Sequence, residues 1–389
     1  MLRRIYVIAF LFCFHSALTA YVNSSIAQSL VGEKLTGILY ATASLCTLVC
    51  LSFFPRILHL FGNRKTFISL LSLTVLLLIT LSQIPSQAVG VVALIAYIVI
   101  NTLVFFSLDV FIEHWSTTVD VGKIRGLYLM ISNIGWMFAP LFSSRLAGAG
   151  LPLVYLGASS IVFLAVLLSI FLIKNYDDKN YTRKTLLETL RTVIKRTTLW
   201  PIIALNFLLQ FFFSWMVIYT PLYLREVLHL SWEQLGIIFS IMLSAFVLVQ
   251  YPIGRFIDKG ASLRLILTGG FVVILGATAT LPFVTQDNLV FLAIVLFLTR
   301  VGAATIEVCT DTYFFRQITD SDTHILSLYR DMSPFAYVIG PITATTLLYF
   351  KLPLVSLFFI LSSILALSFI FIPLLTSSKV AKTETLQIS

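Results

Sequence analysis

The chain has 389 residues, 59% of them apolar and 11% charged, with a mean hydropathy of +0.99 and a formal charge of +9. Soluble globular chains are about 45–50% apolar, so a soluble fold is excluded. The surplus base collects in loops between apolar runs, which excludes a nucleic-acid footprint.

Apolar runs near the roughly 20 residues that a helix needs to cross a bilayer recur from end to end. About twelve are expected, near 5–27, 35–55, 66–84, 88–113, 124–146, 152–173, 199–224, 234–254, 263–284, 288–311, 325–349 and 353–375. The fold class is therefore all-α and integral to the membrane. If Arg3 and Arg4 are cytoplasmic, 21 of the 26 bases fall on that side, and only Lys34, Arg145, Arg225, Arg300 and Lys351 lie elsewhere. This bias predicts a multi-pass protein of the cell membrane with both termini cytoplasmic.

The opening stretch LRRIYVIAFLFCFHSALTA has the outline of a cleavable signal peptide. Internal repetition argues against that reading. KLTGILY, with Gly37, matches EQLGIIF, with Gly236, 199 residues later. At the same offset Pro55 falls on Gly254, His59 on Asp258, Lys65 on Arg264, Asn101 on Arg300 and His15 on Ser214. Ala139-Pro140 answers Gly340-Pro341 at an offset of 201. The chain reads as two equivalent six-span bundles, 1–173 and 199–376, with a linker over 174–198 and a tail over 377–389. The first span then mirrors the seventh and is part of the fold. In the linker, Leu186, Leu190, Val193 and Ile194 keep helical spacing opposite bases, as in a helix lying on an anionic leaflet. A protein-docking role for that helix stays open.

Two loops gather charge. FPRILHLFGNRK holds Gly62, Arg64 and Lys65, and YPIGRFIDKGASLR holds Gly254, Asp258, Lys259 and Arg264. Gly254 is expected to admit a close helix approach, and Gly260 a tight reversal. Carboxylates one turn apart, Asp109 with Glu113 and Glu307 with Asp311, are expected to meet Arg64 and Arg264 respectively.

A chain of six plus six spans with a Gly-x3-Asp-x2-Gly-basic loop between the second and third spans resembles the major facilitator superfamily, over essentially its whole length. The second-half loop matches well, with Ala261 in place of a glycine; in the first half Pro55 and His59 stand where glycine and aspartate are usual. GWMFAPLFSS and AYVIGPITAT partly resemble the family's helix-bending Gly-Pro element, which in full form accompanies proton-driven export. The resemblance implies that the loop charges latch the cytoplasmic side, and that Arg300-Val-Gly302 echoes an arginine motif usually found in the fourth span, where Asn101 stands here.

In such folds the substrate sits near the midplane. Arg300, His15, Asn101 and the stripe Asn206, Gln210 and Ser214 are the polar candidates there, with Trp215, Asn133, Trp136 and Tyr337 as pocket walls. A mid-membrane arginine costs about 2.5–3.5 kcal/mol on insertion scales, so Arg300 should face a cavity or a partner such as Glu307. His15 is a candidate proton carrier or a hydrogen-bonded neutral residue.

The expected function is secondary active transport of a small organic solute by alternating access, with a lean to an anionic or zwitterionic substrate and with protons as an open coupling partner. The alternatives are a proton-driven exporter of lipophilic compounds and a non-transporting sensor. No enzyme motif or metal set emerges from the spacing of His, Cys, Asp and Glu, so no cofactor is expected. The four cysteines read as buried thiols. The partners expected are the solute and membrane lipids, and the protein is expected to be a monomer.

Overall fold

The computed structural model describes residues 2–115, 121–173, 193, 196, 198–286, 288–318 and 323–375. The expected linker helix lies outside these residues apart from positions 193, 196 and 198, and so does the tail. Every described element is a helix, as suits a chain whose backbone must satisfy its own hydrogen bonds in lipid.

The first half comprises α1 (Leu2–Ala20), a short α2 (Asn23–Val31), α3 (Glu33–Phe61), α4 (Asn63–Gln83), α5 (Gln87–Trp115), α6 (Val121–Ala149) and α7 (Leu151–Leu172). The second half comprises α8 (Trp200–Leu222), α9 (Trp232–Asp258), α10 (Leu263–Thr280), α11 (Leu289–Gln317), α12 (Thr323–Tyr349), α13 (Ser356–Ala366) and α14 (Ser368–Phe371). Ten of these segments are long and apolar enough to cross a membrane. The proline-bearing α6 and α12 are as long, at 29 and 27 residues.

One boundary differs from expectation. The run 5–27 is not a single span: α1 ends at Ala20, Val22 N–H turns back to the Thr19 carbonyl (3.0 Å), and α2 starts afresh. Its first residue, Asn23, is tied down by the Tyr155 hydroxyl, which donates to Oδ1 at 2.8 Å.

Both charged loops turn on glycine. Gly62 (φ 76°) separates α3 from α4, and Gly260 (φ 90°) lies between α9 and α10. Both sit in the left-handed region, where a Cβ is strained, so each helix stops and the next begins within a few residues.

By packing, the chain divides into two units. One contains Met1–Tyr181 with Trp215–Leu243 and Tyr337–Leu354; the other contains Thr182–Ser214 with Ser244–Ala336 and Val355–Ser389. In the first unit α1 lies against α5, α6 and α7, while α4 packs on α5 and α7. In the second, α10 is clasped to α11 and α13. The α10–α11 contact is close because two glycines meet there: a methyl on Gly302 would lie 2.7 Å from the Ile274 backbone nitrogen and 2.8 Å from the Gly270 carbonyl.

Candidate functional sites in the two units

The first unit holds a core of neutral polar groups between α1 and α5. Positions 12, 15, 16 and 19 form one face of α1, and 97, 101 and 105 one face of α5. Phe12 meets Phe105 edge-on at 5.0 Å. The amide of Asn101 donates to Ser16 Oγ at 3.0 Å, and the Tyr97 hydroxyl lies 2.7 Å from Thr19 Oγ1. His15 is fully buried. Its Nδ1 donates to the Phe12 carbonyl at 2.5 Å, leaving Nε2 3.3 Å from the Tyr97 hydroxyl.

Tyrosines extend this core. Tyr40 of α3 shares its neighbourhood with Tyr337, Tyr219 and Tyr97, and Tyr155 lies near Tyr40 and Tyr97. Tyr40 is only 5% exposed, yet its hydroxyl has no hydrogen-bond partner among the described residues. The same holds for Asn101 Oδ1. Leaving a buried polar group unsatisfied costs about 1–3 kcal/mol. Trp215 stacks edge-on with Tyr219 at 6.2 Å, and its indole N–H donates to the Gly340 carbonyl at 2.7 Å. Trp136 packs by Ala17, Leu18 and Ala139, and Asn133 is half-buried on α6.

The same unit contains two matched seats. A methyl added to Gly37 of α3 would strike Thr345 Oγ1 and the Tyr219 hydroxyl and lie 2.6 Å from the Pro341 carbonyl. A methyl on Gly236, its repeat mate, would strike Ser144 Oγ and lie 2.8 Å from the Pro140 carbonyl. Each glycine thus abuts the proline bend of a helix from the other repeat, α12 in one case and α6 in the other. Tyr21 stacks on Phe239 of α9 at 4.4 Å, a further contact between residues of opposite repeats.

This is where close helix approach occurs, and not at Gly254, where an added methyl would meet nothing within 4 Å. The expectation for Gly254 is corrected: Gly254 is half-buried in a mostly exposed part of α9 with open space beside it, so a small residue is not needed there for packing.

The second unit is charged. Arg300 of α11 is 1% exposed, and its guanidinium carbon lies 5.2 Å and 5.7 Å from the ring centres of Phe212 and Phe213. Ring faces attract a desolvated cation, each such pair contributing about 0.5–2 kcal/mol. Glu307, the suggested partner of Arg300, accepts instead from the Gln250 amide at 2.9 Å. Asp311 accepts from the Tyr329 hydroxyl at 2.7 Å, and Tyr329 stacks on Phe314 at 4.0 Å. The α8 stripe belongs here too. Asn206 donates to the Tyr329 carbonyl (3.1 Å), Gln210 reaches Asn206 Oδ1 (3.5 Å), and Ser214 turns back to the Phe211 carbonyl (2.8 Å).

The loop charges have the following partners among the described residues. Arg264 is exposed in the first turn of α10 and makes no ion pair among the described residues. Glu307 accepts from Gln250 and Asp311 from Tyr329, and the expected pairing of either with Arg264 is not formed in this structure. Asp258 faces Arg316 at 3.9 Å, with both side chains largely in the open. Lys259 and Lys65 are exposed. Arg64 donates Nε to the Ile173 carbonyl (2.6 Å) and Nη2 to that of Ile170 (2.9 Å), placing a cation on the negative end of α7. Asp109 is half-buried on α5, eight residues beyond Asn101. The Glu113 side chain lies outside the described residues.

The predicted site residues therefore fall into two groups. His15, Asn101, Asn133, Trp136, Trp215 and Tyr337 belong to the first unit; Arg300, Asn206, Gln210 and Ser214 belong to the second. Sequence reasoning missed Tyr40 and Tyr97. Tyrosine is frequent in this chain, and only the packing of α3 on α5 and of α5 on α1 distinguishes these two from lipid-facing aromatics.

Comparison with known proteins bears on the whole arrangement. The family model described as Major Facilitator Superfamily matches residues 5–329. No curated protein matches by sequence. Among solved structures, a mutant of the nucleoside transporter NupG superposes with a TM-score of 0.79 at 12% identity, over 96% of this chain and 100% of its own. A bacterial homologue of the human lysosomal transporter Spinster, solved in an inward-facing and occupied conformation, gives 0.73 at 13% identity, over 96% and 95%. The chain shares their multi-pass helical fold. With the family match spanning most of its length, the chain belongs to the Major Facilitator Superfamily.

Proposed function

We propose that the chain moves a small organic solute across the membrane by alternating access. The observation that carries this reading is the matched pair of glycine seats, Gly37 on Pro341 and Gly236 on Pro140. Helices of opposite repeats touch there through small surfaces with no covalent or ionic tie, a contact that can be made and released as a unit. The positive-inside bias puts both chain ends in the cytoplasm, so the seats would close the outer face. The printed names of the solved neighbours, a nucleoside transporter and a homologue of a lysosomal transporter, are consistent with an organic cargo.

Arg300 supports the lean to an anionic or zwitterionic solute, since a cation held on aromatic faces can still receive a carboxylate or phosphate oxygen. His15 and Glu307 are the groups through which protons would couple, one in each unit. The lipophilic exporter is the competing reading, and the partial Gly-Pro elements of α6 and α12 favour it.

Purified protein in liposomes separates these readings. Uptake of organic anions that accumulates under an inward proton gradient, and is lost in Arg300→Ala, supports the anionic, proton-coupled reading. Extrusion of lipophilic dyes that survives Arg300→Ala favours the exporter. A flux indifferent to an imposed pH jump removes proton coupling while leaving transport standing.

A further inference from the structure

We infer that the tyrosine cluster of the first unit is a subsite for the uncharged, ring-bearing part of the solute, one that offers a hydrogen-bond acceptor to Tyr40 and a donor to Asn101. This deepens the transport reading and rests on it. The argument begins with two unmet needs. The Tyr40 hydroxyl is buried without a partner among the described residues, and so is Asn101 Oδ1. Buried polar groups are nearly always paired with protein, water or ligand. A hydroxyl can donate and a carbonyl oxygen can only accept, so the missing partner must present both an acceptor and an N–H or O–H.

The two groups belong to one neighbourhood. Asn101 stands one helical turn from Tyr97 on the same face of α5, α5 packs along the α3 helix that carries Tyr40, and Tyr97 is near enough to Tyr40 to act on it electrostatically. The amide end of Asn101 is engaged with Ser16 Oγ at 3.0 Å, which holds the side chain and directs the free oxygen. The other polar groups nearby are already spoken for. Tyr97 is shared by Thr19 and His15, Tyr155 donates to Asn23, and the Trp215 indole donates to Gly340. Trp215 therefore offers a visitor only its ring, and Tyr97 little else. Rings with satisfied polar ends provide stacking faces.

Charge decides the class. Tyr40, Tyr97, Tyr155, Tyr219, Tyr337, Trp215 and Asn101 are neutral side chains, and an ion without a counter-charge is strongly penalised when buried among them. Arg300, the buried cation among the described residues, is in the other unit. The chemistry that fits Tyr40 and Asn101 is a flat ring with a carbonyl beside an N–H, or vicinal hydroxyls on a ring.

The test uses full-length protein in detergent with three probes: uridine (ring with an imide edge), glucose (hydroxyls without an aromatic ring) and benzoate (ring with a charge). Uridine should raise the melting temperature, with glucose weaker and benzoate weakest. Tyr40→Phe keeps the ring and removes one donor, and should weaken uridine about three- to tenfold, the loss of one neutral hydrogen bond. N3-methyluridine lacks the N–H. It should bind the parent protein less well than uridine, and Asn101→Leu should abolish that difference.

Unchanged uridine affinity in Tyr40→Phe would overturn the assignment, making the hydroxyl a buried group of no consequence for binding. Stabilisation by benzoate alone would also overturn it while leaving an anion transporter standing. If none of the three probes shifts the melting temperature, the assignment falls. Counterflow of a wider solute panel in liposomes then decides whether the transport reading falls with it.

Discussion

Asn101 and Arg300 occupy the same position in the two repeats, 199 residues apart and deep in α5 and α11. Around Asn101 the protein built a neutral core of tyrosines, serine, threonine and a buried histidine. Around Arg300 it built a charged one, with aromatic faces against the guanidinium and amide and phenol donors on two carboxylates. The repeat mates Gly37 and Gly236 did not diverge, and both still seat on a proline bend of the opposite repeat. The difference separates two kinds of constraint. Helix contact demands the same small residue at both equivalent crossings, whereas the polar interior was free to specialise half by half.

The largest effect is expected where the halves still agree. Gly37→Val or Gly236→Val would drive a side chain into backbone carbonyls that cannot give way. Overpacking of this kind costs about 1–3 kcal/mol, enough to shift a two-state equilibrium about 5–150-fold. Each variant should fold, lose most of its transport, and leave the face closed by the seats open to a thiol reagent. Gly254→Ala, which meets open space, should keep transport within about twofold. Equal tolerance at all three positions would mean that the seats do not gate.

A smaller effect tests the charged half. Glu307→Gln keeps the shape and a hydrogen bond with Gln250 but removes the charge, weakening a charge-assisted bond to a neutral one. The difference is about 1 kcal/mol. Uptake at its best pH should fall about fivefold and the pH profile should flatten. His15→Gln, in the neutral half, should leave the profile's shape intact if Glu307 is the proton carrier. The reverse result would move coupling to the first unit and break the assignment of charge chemistry to the second.

Much of this was legible in the sequence. Long apolar runs, loop charge and the 199-residue offset announce the helices, their pairing by repeat and the glycine mates, because in lipid the backbone leaves few alternatives to a helix. Buried Arg300, His15 and the Asn206 stripe stand out as polar residues in apolar runs. The partners were not legible. Gln250 for Glu307, Tyr329 for Asp311 and the α7 carbonyls for Arg64 depend on which helices lie side by side and on rotation about each axis. Opposite charges invite a guess of ion pairs, but a partly desolvated carboxylate is satisfied as well by an amide or a phenol. Tyr40 and Tyr97 were hidden by abundance: among many aromatics, only packing shows which hydroxyls are turned away from lipid. The break after Ala20 was hidden because Tyr21 and Val22 are as apolar as their neighbours.

The smallest effect on stability is expected at the charge knot between α9 and α10, and it sharpens the comparison most. Asp258 is 78% exposed and Arg316 42%, at 3.9 Å. Exposed pairs of that kind contribute about 0–1 kcal/mol, so Asp258→Asn should move the melting temperature by no more than about 2 °C. Its first-half counterpart is His59, which bears no such acid, and His59→Asn should be equally mild in stability. If transport by Asp258→Asn also stays near the parent level, the knot is a positive-inside turn and the latch reading fails. If transport drops several-fold while the melting temperature holds, Asp258 acts in a conformation other than this one. The cytoplasmic latch would then belong to the second repeat alone, a further place where the two halves have parted.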